Sequence, residues 1–351
     1  MITSCATAIP VSVHAGSSGS GRRSFQAVAA LAFTLAVLAA GGLRAEVQAG
    51  SQRPTAAGQA VPSTDPASQA GRVDGVPALT PSAPPAPAAP EQVVIGTAVA
   101  RALEPMAAQL SGVQSASGAR IAVSLIELGG ANPQSWSFHG DDPFVAASTY
   151  KLPLLMAEAE SIAGGQDQPG DQLCYSAEDW EDGWFQDYGV GACYSREDLA
   201  SRIGQDSDNT AAHMLVRFLG GGSALNAYAA GHGASKSAFY DPNTTTASDL
   251  ARLMAAEATG AAGGARTQQW LYPLLTHTAF EQGIPAGVPA TATVVHKTGE
   301  LDSVTNDVAL VTGGPNGPYV VAICVDGPGS DAGFSVIAQV ARLVWQMEAS
   351  R

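Results

Sequence analysis

The sequence predicts an α/β protein of the α+β sandwich kind: an antiparallel sheet with flanking helices plus an inserted all-helical subdomain. Three observations predict it. Strand-like alternation appears at "RIAVSLIEL" (120–128), with "SWSFHG" (135–140) as a hairpin partner beyond the Asn132–Pro133 turn. It returns in three late runs, "TATVVHKTG", "VTNDVALVTG" and "GPYVVAICVDG". Between these two groups the apolar period is helical. One sheet drawn from both ends of the folded part, with a helical cluster inserted, leaves a cleft where the cluster meets the sheet edge.

In chain order, Arg22 and Arg23 precede an apolar run from Phe25 to Gly42, and no acidic residue occurs before Glu46. A positive flank, an apolar stretch and small residues beyond it read as an export signal over 1–48. The arginine pair resembles a twin-arginine signal, with general secretion and an uncleaved anchor as the alternatives. Residues 49–92 are rich in Ala, Pro, Gln and Ser and lack the branched and aromatic side chains that would offset ordering entropy, so they read as a disordered tether. The folded domain is expected over 93–351, exported and either free or tethered.

"VARALEPMAAQLSGV" predicts the first helix of that domain, and a second runs from about Thr149 to Ala163. Further helices are expected at "SREDLASRIG", at "NTAAHMLVRFLG" closed by Gly220–Gly222, at "ASDLARLMAAEAT" capped by Ser248, and at "ARTQQWLYPLLTH"; "GFSVIAQVARLVWQM" closes the chain.

The net charge of −14, from 17 basic and 31 acidic residues, argues against nucleic acid or anionic lipid as a partner of the folded domain. "GGANPQSW" and "GGGSALN" lack the Lys and setting of a phosphate loop, and His213, His232, His277 and His296 lack metal-ligand spacing. No cofactor or metal is expected, and the domain reads as a monomer. Cys174 and Cys193 flank an aromatic, acidic loop and are placed to close it in an oxidising compartment, whereas Cys5 leaves with the signal and Cys324 reads as a small buried hydrophobe.

The chemistry begins at "VAASTYKLPLL", where Ser148 and Lys151 open an apolar helix. A buried ammonium there is costly unless it is paired or used. A Ser cap with a snorkelling Lys accounts for the pair taken alone. "SDN" (207–209) and "KTG" (297–299) follow in order, each a tripeptide expected by chance on the order of once in 10⁴ positions. Three residues on a helix put the Lys151 nitrogen within reach of the Ser148 hydroxyl, which needs a base to act as a nucleophile. Lys151 serves if burial and a second cation, Lys297, lower its pKa. Ser207 then bridges the two lysines and protonates the leaving nitrogen, while Asn209 offers an amide to Lys151 and to a substrate carbonyl. The Ser148 backbone N–H, at a helix start, is a ready oxyanion donor.

"STYK", "SDN" and "KTG" together resemble the signatures of class A β-lactamases and penicillin-recognising serine enzymes, and "SDNTAA" and "NTTTASDLARLM" extend the likeness between them. The resemblance implies a second oxyanion donor in the Glu300 N–H, and substrate carboxylate recognition by Lys297 and Thr298 beside Gly299. It implies a serine hydrolase acting on a β-lactam or a peptidoglycan stem peptide. Two departures qualify it. No glutamate stands between Glu197 and Glu257, so the loop that carries the deacylating glutamate in that family is cut away, with only Asp241, in a "DPN" turn, near its place. Slow deacylation is therefore expected, and the pattern also resembles D,D-peptidases with a shortened loop; a silent wall-sensing module is the third reading. No basic residue lies between Lys297 and Arg342, so weaker β-lactam binding is expected. Acidic residues 178–187 read as a solvated loop; Trp180, Trp184, Phe185 and Tyr188 either wall the cleft near Ser207 or pack the loop. His296 should point away from Lys297's face, into core or surface.

Overall fold

The computed structural model describes residues 97–351, with side chains from residue 105 onward. The export signal (1–48) and tether (49–92) read from the sequence lie outside the described residues. α1 (Thr97–Ser117), β1 (Arg120–Glu127) and β2 (Ser135–Phe138) come first. β3 (Phe144–Val145), α2 (Lys151–Ala163), β4 (Gln172–Cys174), β5 (Cys193–Ser195), α3 (Arg196–Asp206), α4 (Asn209–Leu219), α5 (Gly222–Gly231), β6 (Thr244–Thr245), α6 (Ala247–Ala258), α7 (Ala265–Leu271) and α8 (Ile284–Gly287) make up the middle. β7 (Thr293–Leu301), β8 (Val304–Thr312), β9 (Tyr319–Asp326) and α9 (Ser330–Ala349) end the chain.

The main sheet runs β2-β1-β9-β8-β7, with every neighbouring pair antiparallel. The last strand, β9, therefore lies between β1 and β8 and joins the two ends of the domain. Its run "YVVAICV" is buried on both faces, since successive side chains point to opposite layers. Val321, Ile323 and Val325 pack with Met106 and Leu110 of α1 and Ile337 and Val340 of α9. Val320, Ala322 and Cys324 face the other way, into the helical core of α2, α4 and α6. β7, which carries "KTG", is left at the sheet edge, facing the start of α2.

Two local features differ from expectation. Thr246, not Ser248, caps α6, its hydroxyl accepting from the Asp249 N–H at 3.1 Å; the Ser248 N–H is already bonded to the Gly140 carbonyl at 2.8 Å. α5 is an additional helix, made mostly of small residues and seated by buried Leu225 and Ala229. β4 and β5 pair so that Cys174 faces Cys193, and the two form a disulfide across the base of the acidic loop.

Glu257 of α6 is wholly buried and neither carboxylate oxygen has a hydrogen-bond partner among the described residues. Burial, with the charge of Glu160 second, pushes its pKa up to about 8. The unfolded chain ionises near 4.5, so this group lowers stability as pH rises from about 5 to 8, by up to about 1.4 kcal/mol per unit. Glu257→Gln is expected to flatten that part of the stability profile in chemical denaturation across the same range; a slope equal to that of the parent protein would exclude it.

Candidate active site

Ser148 sits in a 3₁₀ turn, Ala147–Tyr150, immediately before α2. Three residues per turn stack i over i+3, which brings Lys151 directly onto Ser148. Ala147, just before Ser148, has φ +47°, a left-handed conformation that a non-glycine residue keeps only when its surroundings hold it there. Two asparagines do so. Asn243 donates through Nδ2 to the Ala147 carbonyl at 3.0 Å, and its own carbonyl accepts the Ala146 N–H at 2.9 Å. Asn306 of β8 donates to the carbonyls of Val145 at 2.9 Å and Ala146 at 3.2 Å. Both asparagines stand in the sequence as ordinary turn and strand residues, and no local signal marks them.

Lys151 has no solvent exposure. Its Nζ donates to Ser148 Oγ at 3.0 Å, to Ser207 carbonyl O at 2.5 Å, to Asn209 Oδ1 at 2.6 Å and, more weakly, to Ser207 Oγ at 3.3 Å. Every partner is neutral. Desolvation first, and the Lys297 charge second, hold its pKa well below the usual ammonium value. Ser207 lies between α3 and α4 at φ +59°, and the turn aims its hydroxyl between both lysines: Lys297 Nζ is 3.0 Å from Ser207 Oγ. The cap of α4 is the neighbouring Asp208, which accepts from the Ala211 N–H at 2.9 Å and from the Tyr188 hydroxyl at 2.6 Å. Lys297 is also buried, and burial brings its pKa down to about 7.

β7 reaches the Ser148 turn at Gly299. A Cβ there would lie 2.7 Å from the Ala146 carbonyl, 2.8 Å from the Thr149 nitrogen and 3.0 Å from the Ser148 nitrogen, so only glycine allows the edge strand to press on the turn. Gly299 is thus packed against backbone and does not line the cleft; Thr298 and Glu300, on either side, do. As an edge strand, β7 pairs only with β8 and leaves alternate backbone groups free on its other side. Ser148, Ser207, Asn209 and Thr298 line a cleft of about 370 Å³, walled by Trp184, Phe280 and Leu301.

Behind β7, His296 is fully buried on the face opposite Lys297. Its Nδ1 lies 3.0 Å from Asp307 Oδ1 and its Nε2 3.2 Å from Glu281 Oε1, and these carboxylates, working against desolvation, raise its pKa to about 9. The aromatic group divides: Trp184 walls the cleft, whereas Phe185 and Tyr188 stack on the Arg202 guanidinium at 4.4 and 5.2 Å and pack the loop. The acidic stretch is not simply solvated. Asp179 is buried against Arg217, and Glu181 reaches a second chamber, of about 360 Å³, that shares Ser148 with the first. Asp241 does not line either chamber, and neither lining includes a Lys or Arg.

A family model described as "Beta-lactamase enzyme family" matches residues 105–347. The chain belongs to the β-lactamase enzyme family. Beta-lactamase OXY-2 of Klebsiella oxytoca is 26% identical over 259 residues, covering 67% of this chain and 87% of that protein. Beta-lactamase Toho-2 of Escherichia coli is 27% identical over 270 residues, with 67% and 86% covered. Among solved structures, PBP-A superimposes with a TM-score of 0.65 at 27% identity, over 70% of this chain and 96% of its own; so does a mutant of it solved as an acyl-enzyme complex with penicillin G. An ancestral class A β-lactamase gives a TM-score of 0.63 at 27% identity, with 69% and 99% covered.

In this β-lactamase-family chain the Gly299 contact sets the distance between the strand and the Ser148 turn. Gly299→Ala is expected to lower the rate of Ser148 acylation by a β-lactam about 10²-fold, comparable to loss of one oxyanion donor, with circular dichroism unchanged. An unaltered rate would show that the strand can move aside without cost.

Proposed function

We propose that the protein is a serine hydrolase that forms an acyl-enzyme at Ser148 with β-lactams or D-Ala-D-Ala-like amides. The observation that carries this reading is the buried Lys151 nitrogen, 3.0 Å from Ser148 Oγ with only neutral partners. An amine held neutral there can take the hydroxyl proton as Oγ attacks the substrate carbonyl carbon. The oxygen of that carbonyl gains negative charge, which the backbone N–H groups of Ser148 and Glu300 would hold. As the tetrahedral intermediate collapses, the C–N bond breaks and the proton passes from Lys151 through the Ser207 hydroxyl to the leaving nitrogen, leaving an ester on Ser148. Thr298, with Lys297 behind it, would receive the substrate carboxylate.

Family membership supports hydrolysis of the β-lactam type. A D,D-peptidase reading is supported by the likeness to PBP-A and by the absence of a glutamate between Glu197 and Glu257. The export signal read from the sequence would bring the domain to wall peptides and to β-lactams alike.

Incubation with a fluorescent penicillin, followed by denaturing electrophoresis over time, tests the reading. Labelling is expected for the parent protein and none for Ser148→Ala; a label that persists in that variant would move the nucleophile elsewhere. Lys151→Ala is expected to slow labelling by about 10²–10⁴-fold with the fold retained. Lys297 loses its proton near pH 7, so the second-order acylation constant for an anionic penicillin should decline as pH rises through about 7. A profile flat from pH 6 to 9 would remove Lys297 from carboxylate capture.

A further inference from the structure

From the second chamber beside Ser148 we infer that Glu181, oriented by His213, is the general base that activates the deacylating water in this protein. The inference rests on the acyl-enzyme reading above and addresses the step that reading leaves without a base. The chamber is lined by Ser148, Tyr150, Glu181, His213, Tyr240 and Asn243, among others. It opens between the nucleophile and residues 232–246, the segment that joins α5 to α6 without a glutamate. Two carboxylates reach it, those of Glu181 and Glu300. Glu300 is exposed on the strand edge, with no side-chain hydrogen bond among the described residues. Glu181 is held in place.

Its Oε2 is 2.9 Å from His213 Nε2, while His213 Nδ1 is 3.2 Å from the Asp179 carbonyl oxygen. The Asp179 carbonyl only accepts, so Nδ1 is the donor of that bond and Nε2 is the ring atom turned to Glu181. His213 therefore sits against one carboxylate oxygen, and neither Glu181 oxygen has a side-chain hydrogen bond among the described residues. The ring is set in turn by Tyr240, edge-on at 5.3 Å. The backbone of Glu181 is bolted to α4. Its N–H donates to Thr210 Oγ1 at 3.0 Å, the Thr210 hydroxyl donates to its carbonyl at 2.8 Å, and Asn209 Nδ2 donates to the next carbonyl, of Asp182, at 3.0 Å. Asn209 is also the residue that holds Lys151, so base and nucleophile share one frame. Glu181 remains 51% exposed, which leaves water free to reach it.

In the step, a chamber water gives one proton to the Glu181 carboxylate while its oxygen bonds to the ester carbonyl carbon. The tetrahedral oxyanion then collapses, the bond from that carbon to Ser148 Oγ breaks, and the proton taken by Glu181 is passed to Oγ through chamber water. The product leaves as a carboxylic acid, and both residues return to their starting states. Glu181 touches the reacting water; His213 acts through Glu181 and is a positioning residue.

The decisive measurement separates acylation from deacylation, using the intact exported protein, fluorescent penicillin, and the lifetime of the label after the reagent is removed. Glu181→Gln should acylate within about threefold of the parent while its label persists about 10²-fold longer or more. Glu181→Ala should do the same, and added formate should shorten its label lifetime, because a small carboxylate can enter the vacated space. His213→Ala should lengthen the lifetime in the parent background but not in Glu181→Gln, as expected for residues acting as one unit. Equal lifetimes for the parent and Glu181→Gln, or no response of Glu181→Ala to formate, would overturn the inference while leaving acylation at Ser148 intact. No labelling of the parent protein would overturn both.

Discussion

Two amino groups occupy the interior of this domain without a carboxylate partner in hydrogen-bonding range among the described residues, and most of the architecture around the cleft follows from keeping them there. A buried charge is tolerated only if it is paired, neutralised or solvated by fixed dipoles. Lys151 meets two serine oxygens, a backbone carbonyl and an amide oxygen, and Lys297 meets Ser207 and the Thr298 carbonyl. Desolvation of both, with the Lys297 charge added at Lys151, then favours proton loss. The same burial that would destabilise an ordinary core leaves a lysine nitrogen 3.0 Å from the Ser148 hydroxyl.

Holding that arrangement requires backbone in uncommon conformations. Ala147 and Ser207 both lie at positive φ, and each sits where two elements meet: the turn into α2 and the junction of α3 with α4. Neither is glycine, so each conformation costs free energy that neighbours must offset. Asn243, just before β6, and Asn306 of β8 fasten the first, while Asp208, capping α4 and accepting from Tyr188, secures the second. Gly299 supplies the complementary concession, the absence of a side chain where strand meets turn. Sheet topology underlies all of this, because β7 can approach the Ser148 turn only as an edge strand.

The acidic loop shows how a surface segment becomes part of the site. Its base is closed by the Cys174–Cys193 bond, its middle is tied to α4 through Asp179, Glu181 and Asp182, and its far side packs on Arg202. Carboxylates that look like solvating charges in the sequence are used three ways: Asp179 anchors Arg217, Asp187 pairs with Arg202, and Glu181 faces the chamber beside Ser148.

Much of this molecule was legible in one dimension because the relevant geometry is local. Alternation predicted the strands, helical period the main helices, and the three-residue step from Ser148 to Lys151 their contact, since each depends on backbone repeats shorter than two turns. Convergence of "SDN" and "KTG" on that pair was readable only as a shared pattern, as no spacing over such distances encodes proximity. The position of Thr246 as the α6 cap, the clamps from Asn243 and Asn306, and the meeting of Glu181 with His213 were decided by the tertiary structure alone. In each case the choice among chemically similar side chains turned on which of them the packing of distant elements left unsatisfied. Sequence by itself therefore determined the reactive groups and the scaffold class, while the fold decided their environment, because desolvation and hydrogen-bond competition are properties of assembled layers and not of chain neighbours.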